Sequence, residues 1–206
     1  MDIIELSIND KTLITKIKGD LEMNNGFGKA VKIISKIIEV GSWIGAGITA
    51  ALIATLAVTG DLGFMKYFTD VTVETTDVSV SGFSIQLLDS NGAPVFAAFM
   101  IFFITLLIML ILTALAFRNV NFVFKTAEGS TPFKPEIVEK IKRIGYYFIA
   151  MPVAGIVMQI ITGIVIGHGI QVSVEFNNVF VGLVVLALSQ FFAYGVKLED
   201  DVEGLV

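Results

Sequence analysis

Four polar side chains stand inside stretches that otherwise hold almost only apolar residues: Gln159 and Thr162 in one, Ser189 and Gln190 in another. An amide or hydroxyl in such surroundings must find a partner, because hydrocarbon supplies none. Two chemistries fit. The four line a polar cavity or a path for a small ligand, or they bond to neighbouring helices at about 0.6–2 kcal/mol each. The second requires nothing beyond helix packing. His168 is the single histidine, and the chain has no cysteine. A transition-metal centre would need carboxylates, and Glu175 is the one acid close by, so no metal and no cofactor are expected. His168 reads as a loop residue at the interface or as a pH sensor on the outer face. No Ser-His-Asp arrangement and no phosphate-cradling glycine loop is present, and the chain is not expected to be an enzyme. Ionisable residues are missing from the centre of every apolar stretch: Glu39 sits at one boundary, His168 and Glu175 at the other. That pattern argues against a proton relay, a voltage sensor and a carrier of charged substrates.

The elements that must position these residues are four runs without charge: Val40–Gly60, Ser90–Phe117, Ile144–Val174 and Phe176–Val196. A helix needs roughly 20 apolar residues to cross about 30 Å of hydrocarbon. Only 16% of residues are charged, against roughly 25% in soluble domains, as a lipid-facing surface requires. The expected fold is all-α and membrane-embedded: a four-transmembrane-helix bundle with a small extracellular β element. Its spans cover about 40–60, 93–117, 144–166 and 177–195, with outer loops 61–92 and 167–176 and an inner loop 118–143. A polar tail, 1–28, precedes the transmembrane domain, 29–206, and the first span reads as an uncleaved anchor. Thirteen of the fourteen Lys and Arg residues fall on one side of these spans; Lys66 is the exception. The positive-inside rule makes that side cytoplasmic. The expectation is a multi-pass protein of the cell membrane with both termini inside.

Residues 1–18 alternate loosely and read as a short strand pair or an amphipathic helix. Asn24, Asn25, Gly26 and Gly28 are expected to break the chain before a helix resumes near Lys29. Gly41 and Gly45, and again Gly163 and Gly167, match the small-x-x-x-small spacing that lets helices approach closely, within one chain or between two. A homo-oligomer is thus admitted. In the first outer loop Val71, Val73, Val78, Val80, Phe83, Ile85 and Leu87 alternate with polar residues, which indicates strands punctuated by Gly82. The second outer loop, Gln171–Glu175, alternates too, so a sheet from both loops, packed on the helices to protect its edge, is expected. Pro135 followed by Glu136 marks a helix start, and Pro152 a kink. The cluster Lys140, Lys142 and Arg143 suits anionic headgroups and also serves as a topology signal. Nothing reads as a DNA-binding helix.

Several segments together resemble a known family: Leu115-Ala-Phe-Arg-Asn-Val120, Phe124-Lys-Thr-Ala-Glu-Gly-Ser-Thr-Pro-Phe133, Pro135-Glu-x-Val, Ile141-x-Arg-Ile-Gly145 and Phe191-x-x-Tyr-Gly-x-x-Leu198 followed by acids. The chain resembles the small four-span prokaryotic membrane proteins catalogued as domain of unknown function 2975, from the second span to the C-terminus. It departs from them in its less acidic end, Asp201-Val-Glu-Gly-Leu-Val206. The resemblance implies no established activity. It implies a membrane component paired with a small helix-turn-helix regulator. The docking face would comprise Arg118, Asn119, Lys125, Gly129, Pro132, Phe133, Arg143, Tyr194 and Gly195. The expected function is a non-enzymatic regulator or sensor coupling membrane or exterior to such a partner. The alternative is a small oligomeric transporter or channel for an uncharged or small solute.

Overall fold

A computed structural model describes residues 3–60, 77–89, 93–127, 134–167 and 176–203, with the side chains of 3–25, 27, 77, 78, 127, 200, 202 and 203 outside the description. The chain runs α1 (Ile3–Thr59), β1 (Asp77–Val80), β2 (Phe83–Gln86), α2 (Phe96–Ala127), α3 (Pro135–Ile166) and α4 (Phe176–Glu203). Four stretches are long and apolar enough to cross a membrane: Gly28–Thr59, Phe96–Thr126, Pro135–Ile166 and Phe176–Glu199.

The expected break at Asn24–Gly28 does not occur. Helix α1 is continuous over 57 residues, and the boundary placed at 28/29 falls inside it. Each interior glycine costs a helix only about 1 kcal/mol. Extending a helix already nucleated by the apolar stretch is cheap, so two glycines do not stop it. Helix α3 starts as the sequence implies, with Pro135 in its first turn, Glu136 beside it and Lys134 in extended conformation as N-cap. The Lys134 carbonyl accepts from the Ile137 and Val138 amides. Helix α3 runs on through the buried Pro152 and ends at Gly167, which adopts φ 75°. The Gly167 amide donates to the Gly163 carbonyl at 3.2 Å. This pair is therefore a left-handed helix cap, the conformation glycine adopts without steric cost, and open space surrounds Gly167.

Packing is sequential. Helix α1 lies on α2, α2 on α3 and α3 on α4, and among the described residues α1 and α4 make no extensive contact. Among the described residues the helices of the expected four-helix bundle lie as an open row with two free edges. Contacts across the row set a common register. Gly45 of α1 faces Leu110 of α2. Lys140 of α3 lies over the Phe122 ring of α2 at 5.0 Å. Gly145 of α3 faces Gly182 and Leu186 of α4. Counting from these anchors puts Ile37, Arg118, Ile144 and Val184 at about one level. Helix α4 thus begins beside the middle of α3.

Strands β1 and β2 form an antiparallel hairpin, Val80 opposite Phe83. Its two-residue turn has φ 49° at Ser81 and 83° at Gly82. Two positive values define the turn whose twist matches a hairpin. Phe83, Ile85 and Leu87 are buried, whereas Ser84 and Gln86 are exposed. The apolar face packs with Leu56 of α1, Phe99 and Phe103 of α2 and Met158 of α3. The expected strand residues over 71–76 and the second outer loop lie outside the described residues.

Candidate functional site

The hairpin turn sits deep in the helix row. A Cβ on Gly155 would lie 3.4 Å from the Ser81 carbonyl oxygen and 3.7 Å from the Met109 Cε. Gly155 is eleven residues before the end of α3 at Ile166, or about 16 Å along the helix at 1.5 Å per residue. It is also eleven residues beyond Ile144, midway along the charge-free part of α3. Non-helical backbone at such a depth needs protein partners for its polar groups. Gln159, 4% exposed, donates its Nε2 hydrogen to the Gly82 carbonyl. Asn178 in the first turn of α4 donates from Nδ2 to the Ser81 Oγ at 2.8 Å. Ser81, Gly82, Gln159 and Asn178 thus form a polar knot joining the hairpin to α3 and α4. Glycine at 155 leaves room for the turn.

The four polar residues singled out from sequence do not converge within the chain. Gln159 serves the hairpin. Thr162 donates to the Met158 carbonyl of its own helix. Ser189 is buried and donates to the Leu186 carbonyl. Gln190 is exposed. Ser189 lies seven residues past Gly182, near residue 140 of α3, roughly 29 Å from the level of Gln159. A shared cavity lined by all four is not what the chain builds.

The docking residues are spread as well. Arg118 and Lys125 are exposed on α2 and Arg143 on α3, where Arg143 forms an ion pair with Glu139. Asn119 is buried, its Nδ2 donating to the Leu115 carbonyl at 2.7 Å, so it is not presented to a partner. Tyr194 is exposed on α4 and Gly195 half-buried. Gly129, Pro132 and Phe133 lie outside the described residues, as do His168 and Glu175. Lys142 lies 5.9 Å from the Tyr146 ring centroid. At this end Ser35, Glu39 and Ser42 of α1 are buried, and Glu39 pairs with Lys36 at 3.0 Å.

The glycines divide against the motif. A Cβ on Gly45 would lie 3.4 Å from Leu110 Cδ1, whereas one on Gly41 would meet nothing within 4 Å. The tightest crossing is one no spacing announced. A Cβ on Gly145 would lie 2.7 Å from Leu186 Cγ, and one on Gly182 would lie 2.6 Å from Ile149 Cγ1 and 2.9 Å from the Gly145 carbonyl oxygen. The contact takes one glycine from each of two helices, so no pattern along a single helix contains it. Asn178 was missed because it stands at the edge of its apolar run, where polar residues are ordinary. Among the described residues no group of three acidic or histidine side chains could hold a metal ion. No protein-family profile, curated protein or solved structure matches the chain.

Proposed function

We propose that the protein is a non-enzymatic membrane regulator or sensor, in which the outer hairpin governs α4 and α4 carries its state to the opposite end. On this reading the basic end faces the cytoplasm, the termini lie there, and the protein resides in the cell membrane. The observation that carries it is the polar knot: one hairpin turn is bonded to α3 through Gln159 and to the first turn of α4 through Asn178. Helix α4 then runs without interruption to Glu203, held against α3 by the Gly145–Gly182 crossing. A helix bonded at its first turn and packed this closely transmits displacement as a rod, because packed interfaces shift between discrete arrangements rather than deform continuously. Its acidic end and the exposed Arg118, Lys125 and Arg143 offer charge to a soluble partner. The resemblance described above makes that partner a small helix-turn-helix regulator.

The test compares wild-type protein with Asn178→Ala and Gln159→Leu in native membranes. Thiol labelling of a cysteine placed at Lys197 reads the far end of α4. Coupling requires the labelling rate at 197 to change when either bond at the turn is removed. An unchanged rate, with the hairpin demonstrably released, would defeat the proposal.

A further inference from the structure

We infer that water enters the membrane along the hairpin. A crevice, open on the hairpin's side of the membrane, runs down the polar face of β1 and β2 to the first turn of α4. This goes beyond the coupling of the hairpin to α4 and stands without it.

The hairpin stands upright against the row. Its upper end is fixed by the Val95 amide, which donates to the Leu87 carbonyl at 2.9 Å just before α2 begins. Its lower end meets Gly155, where an added Cβ would lie 3.9 Å from the Phe83 amide nitrogen. That level is about 16 Å below the end of α3. At about 3.3 Å per residue, Ser84 then lies roughly 13 Å and Gln86 roughly 6 Å below that end. The far side of α3 shows what surrounds the protein at these two depths. Val157 and Ile161 each stand two residues from Gln159, on the opposite side of the helix, and are 48% and 38% exposed. They are apolar, as contact with hydrocarbon requires.

The hairpin presents the reverse. Phe83, Ile85 and Leu87 are buried against the helices, so Ser84 and Gln86 point away from the row, and both are exposed. Ser79, opposite Ser84 in the register, is exposed too. A two-residue turn makes Val80 and Phe83 a hydrogen-bonded pair and Ser79 and Ser84 a non-hydrogen-bonded one. The amides and carbonyls of Ser79 and Ser84 therefore point sideways out of the ladder. Strand β2 has α3 alongside, whereas β1 makes extensive contact with β2 alone among the described residues. Ser79 thus lies on a bare strand edge, and no described backbone group outside the hairpin bonds it. Asn177, exposed in the first turn of α4, adds a side-chain amide at the depth of the turn, beside the Asn178 that reaches Ser81.

Lipid does not suit this face. Hydrocarbon offers no partner to hydroxyls, amides or an open strand edge, and such edges do not occur against it. A second protein does not suit it either, because the centre of a protein contact is apolar and the outward face here carries Ser79, Ser84 and Gln86. Non-helical backbone at membrane depth is otherwise tolerated where it lines water. Helix α4 begins only at the depth of the turn, so among the described residues no fourth helix stands beside the upper hairpin.

The chain has no native cysteine, which makes the test direct. Ser84→Cys, Gln86→Cys, Val157→Cys and Ile161→Cys are made singly in sealed membranes. A charged, impermeant methanethiosulfonate reagent is added on the side from which Asp89→Cys reacts. The thiolate is the reacting species, and burial in hydrocarbon raises a thiol pKa by about two units or more. Ser84→Cys and Gln86→Cys should therefore react at least about 100-fold faster than Val157→Cys and Ile161→Cys at the matching depths. Ser79→Cys reads the same level from the facing strand if Ser84→Cys disturbs folding. The inference is overturned if the hairpin cysteines react as slowly as the two on α3, which would put lipid or protein against the face. It is equally overturned if Val157→Cys reacts as fast as Ser84→Cys, since that depth would then lie outside the hydrocarbon.

Discussion

Replacing Gly182 by alanine tests the row at its narrowest point. The added methyl would lie 2.6 Å from Ile149 Cγ1, 2.9 Å from the Gly145 carbonyl oxygen and 3.2 Å from the Ile149 amide nitrogen. Two of these atoms are backbone, so no rotamer change relieves the clash and α4 must move off α3. Relief takes a separation of about 0.5–1 Å, which forfeits a quarter to a half of the dispersion energy at each contact along the crossing. Overpacking of this kind costs about 1–3 kcal/mol. Gly47→Ala is the control, because Gly47 is surrounded by open space. There the substitution is neutral or gains up to about 1 kcal/mol of helix propensity. Both positions are helical and share the propensity gain, so the two variants should differ by the overpacking cost, roughly 1–3 kcal/mol, in reversible unfolding in mixed detergent micelles, read by far-ultraviolet circular dichroism. Equal stability would refute the close crossing of α3 and α4, and with it the rod-like action proposed for α4.

Other outcomes are expected. Gly82→Ala forces a side chain to φ 83°, costing about 1–2 kcal/mol, and should raise protease cleavage within 77–86; unchanged cleavage would argue against the turn. Gln159→Leu leaves the Gly82 carbonyl without that donor and should cost about 1–3 kcal/mol. Thr162→Val, which removes only a bond to the Met158 carbonyl within the same helix, should cost less than half as much. Phe83→Ala empties a fully buried position and should cost about 3–5 kcal/mol, seen as a lowered melting temperature. Cysteines placed singly at Lys125 and Asp89 should react with an impermeant thiol reagent from opposite sides of sealed vesicles; labelling from one side would overturn the topology.

The apolar runs made the helices legible because lipid constrains composition directly. Pro135 and Glu136 marked the start of α3 for the same reason: a missing amide hydrogen and a carboxylate are local properties. The alternation of Phe83, Ile85 and Leu87 made β2 and its buried face readable. The failures concern properties shared by two elements. Gly26 and Gly28 looked like a break because local propensity was read without the long helix that continues through them. Gly163 and Gly167 matched a packing motif and proved to be a cap, since the spacing of two glycines does not reveal a positive φ at the second. Nothing in the sequence of α3 says where along it α4 begins, so the gathering of Gln159 and Asn178 at one turn was not visible.

The polar residues within the apolar stretches separate by side-chain reach. Thr49, Thr105, Thr113 and Thr162 each donate to the carbonyl four residues earlier on their own helix. A hydroxyl on a short stem satisfies itself in this way wherever it stands, so a threonine in such a helix carries little information about its neighbours. Asn119 is short enough to do the same with Leu115. The longer amide of Gln159 extends past its own backbone and bonds to a residue 77 positions away. In this chain the buried glutamine reaches backbone that is not helical. Here that backbone is the hairpin turn. The glutamine that marks it lies on the helix where glycine, at 155, gives the turn room to enter.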